Sequence, residues 1–98
     1  MEENKTILII DDDTEVRSMI SDVLEDEEYV VYQAENWDSA KIILQGNVIN
    51  LVFLDLWIDE DEYDGIIILE RIKKKYPSIP VVMISGHGNI EIAVKAIK

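Results

Sequence analysis

The sequence contains no cysteine, two prolines, and no apolar run of membrane-spanning length. Without cysteine the chain can form neither a disulfide framework nor a thiolate metal site, and a reducing cytosol is permitted. The first ten residues, MEENKTILII, begin with acids and carry only a short apolar run, which does not match a signal peptide. No run approaches the ~20 apolar residues that cross a bilayer. We therefore expect a cytoplasmic protein with no membrane partner.

Basic residues are also scarce. The chain has 9 Lys and Arg against 21 Asp and Glu, which gives a net charge of -12 at pH 7. Such an excess of negative charge repels phosphate backbones and favours divalent cations, so we expect no direct nucleic-acid binding. Because 48% of the residues are apolar, the chain is expected to fold rather than to form a disordered acidic tail. A length of 98 residues predicts one small domain, residues 1–98.

Four short apolar runs predict four strands. They are ILII at residues 7–10, VVYQ at 30–33, LVFL at 51–54 and VVMI at 81–84. Three of the four are continuously apolar, which is typical of strands covered on both faces in a parallel sheet.

Helical spacing of apolar residues predicts a helix after each strand. The first helix has Asp13 or Thr14 as its cap, and the second has Asp38. The third follows Gly65, and the fourth follows Asn89. The first carries a stripe of five apolar residues, namely Val16, Met19, Ile20, Val23 and Leu24. The resulting βαβαβαβα order predicts an α/β fold with a doubly wound parallel sheet and helices on both faces.

Polar side chains follow three of the predicted strands. Asp11 and Asp12 come after the first strand, Asp55 after the third and Ser85 after the fourth. Ligands of such sheets bind beyond the carboxyl ends of the strands, so these groups converge if their strands are neighbours. Clustered carboxylates repel one another unless a cation neutralises them, and Mg2+ prefers such oxygen ligands. The alternative is that Asp11 to Asp13 only stabilise the positive end of a helix.

This arrangement also suits phosphoryl transfer. Asp55 stands alone between apolar neighbours and is our candidate nucleophile, whereas Asp11 and Asp12 form a pair suited to metal binding. Ser85 would donate a hydrogen bond to the phosphoryl group.

With these residues the chain resembles the receiver domain of bacterial two-component response regulators, from about Thr6 onward. The stretches FLDLWIDEDEYDGIIILERIKKKYP and VVMISGHGNIEIAVKAIK are similar to NtrC-type regulators, and most of all to their NtrX branch. The resemblance implies a flavodoxin-like (CheY-like) sheet with the strand order 2-1-3-4-5, of which this chain carries four of the usual five βα units.

The resemblance also implies roles for the candidate residues. Asp55 would accept a phosphoryl group from a phosphohistidine of a sensor histidine kinase, and Ser85 would serve as the switch hydroxyl. Mg2+ would be bound by Asp11, Asp12, Asp55 and the backbone carbonyl of Trp57. The chain would then be a signalling domain that regulates transcription through an effector region, and it would assist only its own phosphorylation and dephosphorylation.

Three further residues are implied to tune the lifetime of the aspartyl phosphate. They are Trp57, two residues beyond the acceptor, and Gly86 and His87, which follow the hydroxyl residue. The two large rings would screen the acyl phosphate from water. The alternative for His87 is a solvated loop residue between two glycines.

A complete receiver continues into a fifth strand and helix, which hold a lysine that pairs with the phosphoryl group and a switch aromatic. This sequence stops before them, so we expect weakened phosphorylation. We also expect self-association through the exposed fourth strand or the fourth helix. The alternative function is an interaction module that works without phosphorylation.

Overall fold

Strands and helices alternate along the chain. The computed structural model describes residues 4–56 and 62–84. Its elements, in chain order, are β1 (Thr6–Ile10), α1 (Thr14–Asp26), β2 (Val30–Ala34), α2 (Trp37–Gly46), β3 (Leu51–Asp55), α3 (Glu62–Lys75) and β4 (Val81–Ile84). All four predicted strands are confirmed to within one residue at each end. The predicted fourth helix, after Asn89, lies outside the described residues.

The four strands form one parallel sheet in the order β2-β1-β3-β4. This order confirms the doubly wound α/β prediction and agrees with the flavodoxin-like order for the strands that are described. In the register, Ile10 lies opposite Leu54, and Asp55 lies opposite Ile84. The carboxyl ends of β1, β3 and β4 are therefore level, so residues that follow them share one edge of the sheet.

One face of the sheet packs against α2 and α3. Side chains alternate between the faces of a strand, so every second residue of each strand points to this layer. The buried cluster contains Leu8, Ile10, Val52, Leu54, Val81 and Met83 from the strands, with Ala40, Leu44, Ile68 and Ile72 from the helices. A continuous apolar layer of this kind holds the sheet edge in place.

The opposite face carries α1. Ile7 and Ile9 are buried there, and Leu24 of α1 lines an apolar cavity together with Ile7 and Phe53. Helices thus cover both faces, as predicted. The predicted apolar stripe on α1 is too wide, however, because Met19 and Val23 are 62% and 61% exposed. They lie beside a row of α1 formed by Val16, Ile20 and Leu24. Residues four apart share one face of a helix, and the side chains of this row are half-buried.

Two helix starts differ from the prediction. Asn36, not Asp38, caps α2, because Asn36 has an extended backbone and its side chain accepts hydrogen bonds from the Ser39 amide and hydroxyl. Asp38 lies in the first helical turn, where its charge favours the helix dipole. Helix α3 begins at Glu62, so Gly65 lies within it rather than before it. For α1, Asp13 is confirmed as the cap, since its carboxylate accepts from the amides of Glu15 and Val16.

Gly65 allows α3 to approach the end of β3 closely. A Cβ atom at this position would collide with the backbone carbonyl of Leu56 and would come within 2.9 Å of the Asp55 carbonyl oxygen. Such contacts are with backbone, which cannot move aside as a flexible side chain can. Gly65 is therefore required for the position of the strand end that carries Asp55.

No helix within residues 4–56 and 62–84 combines the length and the apolarity needed to cross a bilayer.

We expect Gly65→Ala to lower the free energy of unfolding by about 1–3 kcal/mol, the usual range for overpacking. Gly46→Ala is the matched control, because nothing lies within 4 Å of a Cβ there. That control should be neutral or stabilising by up to about 1 kcal/mol, since alanine has the higher helix propensity. Urea denaturation followed by circular dichroism measures both. Equal effects of the two substitutions would contradict the close-approach argument.

Candidate functional site

Three carboxylates meet at the carboxyl edge of the sheet. Asp11 and Asp12 directly follow β1, and Asp55 is the last residue of β3. One carboxylate oxygen from each lies within 4.8 Å of the other two. The convergence predicted for these acids is therefore observed. The other predicted site residues, Trp57, Ser85, Gly86 and His87, lie outside the described residues.

The three acids differ in exposure. Asp11 and Asp55 are only 3% and 6% exposed, whereas Asp12 is open to solvent. Two carboxylates thus form the inner wall of a small acidic site, and the third lies at its mouth.

Backbone hydrogen bonds fix the strand-to-helix turn that carries the first two acids. The Asp11 amide donates to the Ala34 carbonyl of β2 at 3.0 Å. Asp11 Oδ1 accepts from the Asp13 amide at 2.8 Å, the pattern of an Asx turn. The Asp13 carboxylate in turn caps α1. This chain of contacts joins the acidic site to the start of the helix.

One positively charged side chain also contacts this turn. Arg17 of α1 donates from Nη1 to the Asp11 backbone carbonyl at 2.6 Å. Sequence reasoning missed this contact, because a single arginine on a helix gives no local pattern that points to a backbone carbonyl. The Asx turn could have been found, since an Asp side chain in a turn commonly accepts from the backbone two residues on.

Electrostatics shift the titration of Asp11. The pKa of Asp11 is raised from 3.8 to about 6, and burial is the largest cause of this rise. The hydrogen bond from the Asp13 amide lowers the pKa, while the negative charges of Asp55, Asp12 and Asp13 contribute to the rise. A cation between the carboxylates would relieve this repulsion.

The donor set fits a hard divalent cation. All three side chains offer carboxylate oxygens, which Mg2+ and Ca2+ prefer over nitrogen or sulfur. Mg2+ is usually held by only one or two protein carboxylates at ~2.0–2.1 Å, with water or phosphate oxygens at the remaining positions. Such a site leaves coordination positions free for a ligand.

The family of the chain follows from a comparison with known protein families. Residues 7–98 match the family described as the response regulator receiver domain. This chain belongs to that family. The receiver domain is a signalling domain, and the resemblance stated from the Asp, Asp, Asp and Ser pattern is confirmed.

Among curated relatives, this receiver domain is similar to NtrX regulators. It is 46% identical over 92 residues to the nitrogen assimilation regulatory protein NtrX of Azorhizobium caulinodans, covering 94% of this chain and 20% of the relative. It is 47% identical over 92 residues to a putative NtrX-like response regulator of Rickettsia bellii, covering 94% of this chain and 19% of the relative. The chain thus spans about a fifth of the length of these relatives.

Solved structures agree with this placement. The crystal structure of the NtrX receiver domain from Brucella abortus is 45% identical with a TM-score of 0.78, covering 93% of this chain and 76% of that one. The response regulator TrrA from Thermotoga maritima, solved in complex with Mg(2+)-BeF, is 25% identical with a TM-score of 0.75. That match covers 86% of this chain and 71% of TrrA. The sequence comparison and the structure comparison therefore agree that this receiver domain is similar to those of NtrX regulators.

We expect Asp11→Asn to stabilise the metal-free protein at pH 7.5. Because folding raises the pKa of this carboxyl from 3.8 to about 6, the folded state binds more protons than the unfolded state between those values. Stability therefore falls as the pH rises through that window, and about 1.4 kcal/mol per pKa unit is lost above it. Asparagine removes this loss, while its Oδ1 can still accept from the Asp13 amide.

Thermal unfolding in EDTA at pH 4 and pH 7.5 measures the effect. The gain in Tm should be clear at pH 7.5 and should nearly vanish at pH 4. Asp22→Asn, which removes an exposed carboxylate of α1, is the matched control and should change little. A gain for Asp11→Asn that is the same at both pH values would contradict the role of charge.

Proposed function

We propose that this receiver domain takes a phosphoryl group from a phosphohistidine of a sensor histidine kinase onto Asp55, with Mg2+ bound beside it. The phosphorylated chain would regulate transcription through an effector region. The observation that supports this is the convergence of three carboxylates within 4.8 Å at the sheet edge of a chain of this family.

Asp11, Asp12 and Asp55 would hold the Mg2+, with the backbone carbonyl of Trp57 as a further ligand. The bound cation supplies positive charge against the phosphoryl oxygens and against the crowded carboxylates. The presence of Mg(2+)-BeF in the related TrrA structure supports the choice of metal. Carboxylate oxygens alone, with no thiolate in the sequence, also favour a hard cation.

Asp55 is the proposed acceptor because its position suits a nucleophile. It ends a buried strand, and its 6% exposure keeps most bulk water from the carboxylate. In the transfer, a bond forms between an Asp55 oxygen and phosphorus while the bond between phosphorus and the kinase imidazole nitrogen breaks. Ser85 is proposed to donate a hydrogen bond to the phosphoryl group and to act as the switch hydroxyl.

Lifetime control is proposed for Trp57, Gly86 and His87, which would limit the access of water to the acyl phosphate. Decay of the phosphorylated protein tests this idea directly. Trp57→Ala should shorten the half-life of the adduct, and an unchanged half-life would refute the proposed screening.

Phosphorylation at Asp55 is tested by intact-mass spectrometry after incubation with Mg2+ and acetyl phosphate. The unaltered chain should gain one phosphate, and the adduct should disappear when Mg2+ is removed with EDTA. Asp55→Asn should give no adduct, because the amide is not a nucleophile of this kind. Asp22→Asn on the exposed face of α1 should react as the unaltered chain does. An adduct that persists in Asp55→Asn would contradict the assignment of the acceptor.

A second proposed function is self-association, which would make the chain an interaction module that works without phosphorylation. Within residues 4–56 and 62–84, β4 lies at one edge of the sheet, and its residues are apolar. Apolar edge strands favour pairing with another chain. Sedimentation velocity should show a concentration-dependent dimer, and a monomer at all concentrations up to about millimolar would refute it.

The location of the protein and its relation to nucleic acid and to a longer regulator are also proposals. A sensor kinase partner and the absence of cysteine support a cytoplasmic location. The net charge of -12 supports a segment that does not itself bind nucleic acid. Residues 1–98 would then serve as the input domain of a longer regulator, in keeping with the fifth of the NtrX length that they span.

A further inference from the structure

Arg17 joins three parts of the fold beside the acidic site. Its Nη1 donates to the Asp11 carbonyl at 2.6 Å, its Nε to Gln33 Oε1 at 3.2 Å, and its Nη2 to Thr14 Oγ1 at 3.3 Å. These acceptors belong to the end of β1, to β2 and to the first turn of α1. The half-buried guanidinium thus uses all three of its nitrogens as donors.

The carbonyl that accepts from Arg17 belongs to the peptide between Asp11 and Asp12, two of the candidate metal ligands. A peptide is planar, so a fixed carbonyl direction also fixes the direction of the following amide. The orientation of this plane sets ψ of Asp11 and φ of Asp12, and thereby the direction in which the Asp12 side chain leaves the backbone.

The other contacts of Asp11 restrain this plane less directly. Its amide is held by the Ala34 carbonyl, which fixes only the strand side of the residue. Its side chain is held by the Asp13 amide, and the Asx turn closed in this way contains the Asp11–Asp12 peptide but restrains it through the rotatable side chain of Asp11. The bond from Arg17 acts on the side that leads to Asp12, which is the solvent-exposed member of the acidic cluster.

We propose that Arg17 is a positioning residue for the divalent cation, because its guanidinium orients the Asp11–Asp12 peptide so that both carboxylates face Asp55. This inference rests on the proposed Mg2+ site. It adds a residue that does not touch the cation and acts through the backbone.

The chemistry of guanidinium explains why this position needs arginine. Its planar fork can hold several acceptors in fixed directions, whereas the lysine ammonium is a compact charge on a flexible chain. Mg2+ requires near-ideal octahedral geometry, so a small rotation of one carboxylate weakens binding. Loss of groups that orient metal ligands typically lowers metal affinity by about 10–100-fold.

The test compares Arg17→Lys with Arg71→Lys. Both substitutions keep the positive charge and remove a guanidinium, but Arg71 lies over the Trp37 ring, with its Cζ 6.0 Å from the ring centroid. Isothermal titration calorimetry measures Mg2+ affinity, and urea denaturation in EDTA measures stability. We expect Arg17→Lys to weaken Mg2+ binding roughly 10-fold and Arg71→Lys to leave it unchanged.

A measurement without metal separates positioning from general stability. In EDTA, amide hydrogen exchange followed by NMR should be faster at Asp13 in Arg17→Lys, because the turn that its amide closes is less constrained. Gln33→Leu, which removes the acceptor on β2 and keeps Arg17, should cause a smaller loss of Mg2+ affinity in the same direction.

The outcomes distinguish this inference from the proposed function. If Arg17→Lys binds Mg2+ as the unaltered chain does, or changes only the free energy of unfolding, the positioning role is overturned while the Mg2+ site stands. If the unaltered chain itself binds no Mg2+ and forms no phosphate adduct, the proposed function and this inference both fail.

Discussion

Repulsion between buried carboxylates is the constraint on which the functional edge of this domain depends. Asp11 and Asp55 are almost fully removed from water and lie close enough to act on each other's charge. The pKa of Asp11 is raised chiefly because burial disfavours its charged form, and the charges of Asp55, Asp12 and Asp13 add to the rise. The apolar layers on both faces of the sheet supply the stability that keeps such groups together, and this trade between stability and a charged site is common in functional proteins. The same crowding makes the site selective for a cation.

The backbone, more than the side chains, determines where these charges lie. Parallel register brings the ends of β1 and β3 to the same level, so the acids need no long side chains to meet. Gly65 lets α3 approach the end of β3, and Arg17 orients the turn after β1. Each of these features acts on main-chain atoms at the edge of the sheet. The geometry of the acidic cluster is therefore a property of the fold as a whole.

The strands and the three acids could be predicted from the sequence because their signals are local. Continuous apolar runs indicate buried strands, and an acid directly after such a run lies at the sheet edge. The cap of α2 could not be decided in this way, since Asn36 and Asp38 are both good caps and the backbone conformation selects between them. The exposure of Met19 depends on which row of α1 meets the sheet. The contact between Arg17 and Asp11 joins a helix to a strand end, and periodicity carries no information about it.

Three consecutive aspartates, Asp11 to Asp13, have three different surroundings. The first is buried and accepts a hydrogen bond from a backbone amide, the second is open to solvent, and the third accepts from the Glu15 and Val16 amides of α1. A change from strand to helix within three residues turns each side chain in a new direction. Glutamate at any of these positions would keep the charge but place it about one methylene farther out. The three acids are therefore the same residue in three different surroundings, and the position of each acid within the triplet decides which contacts it makes.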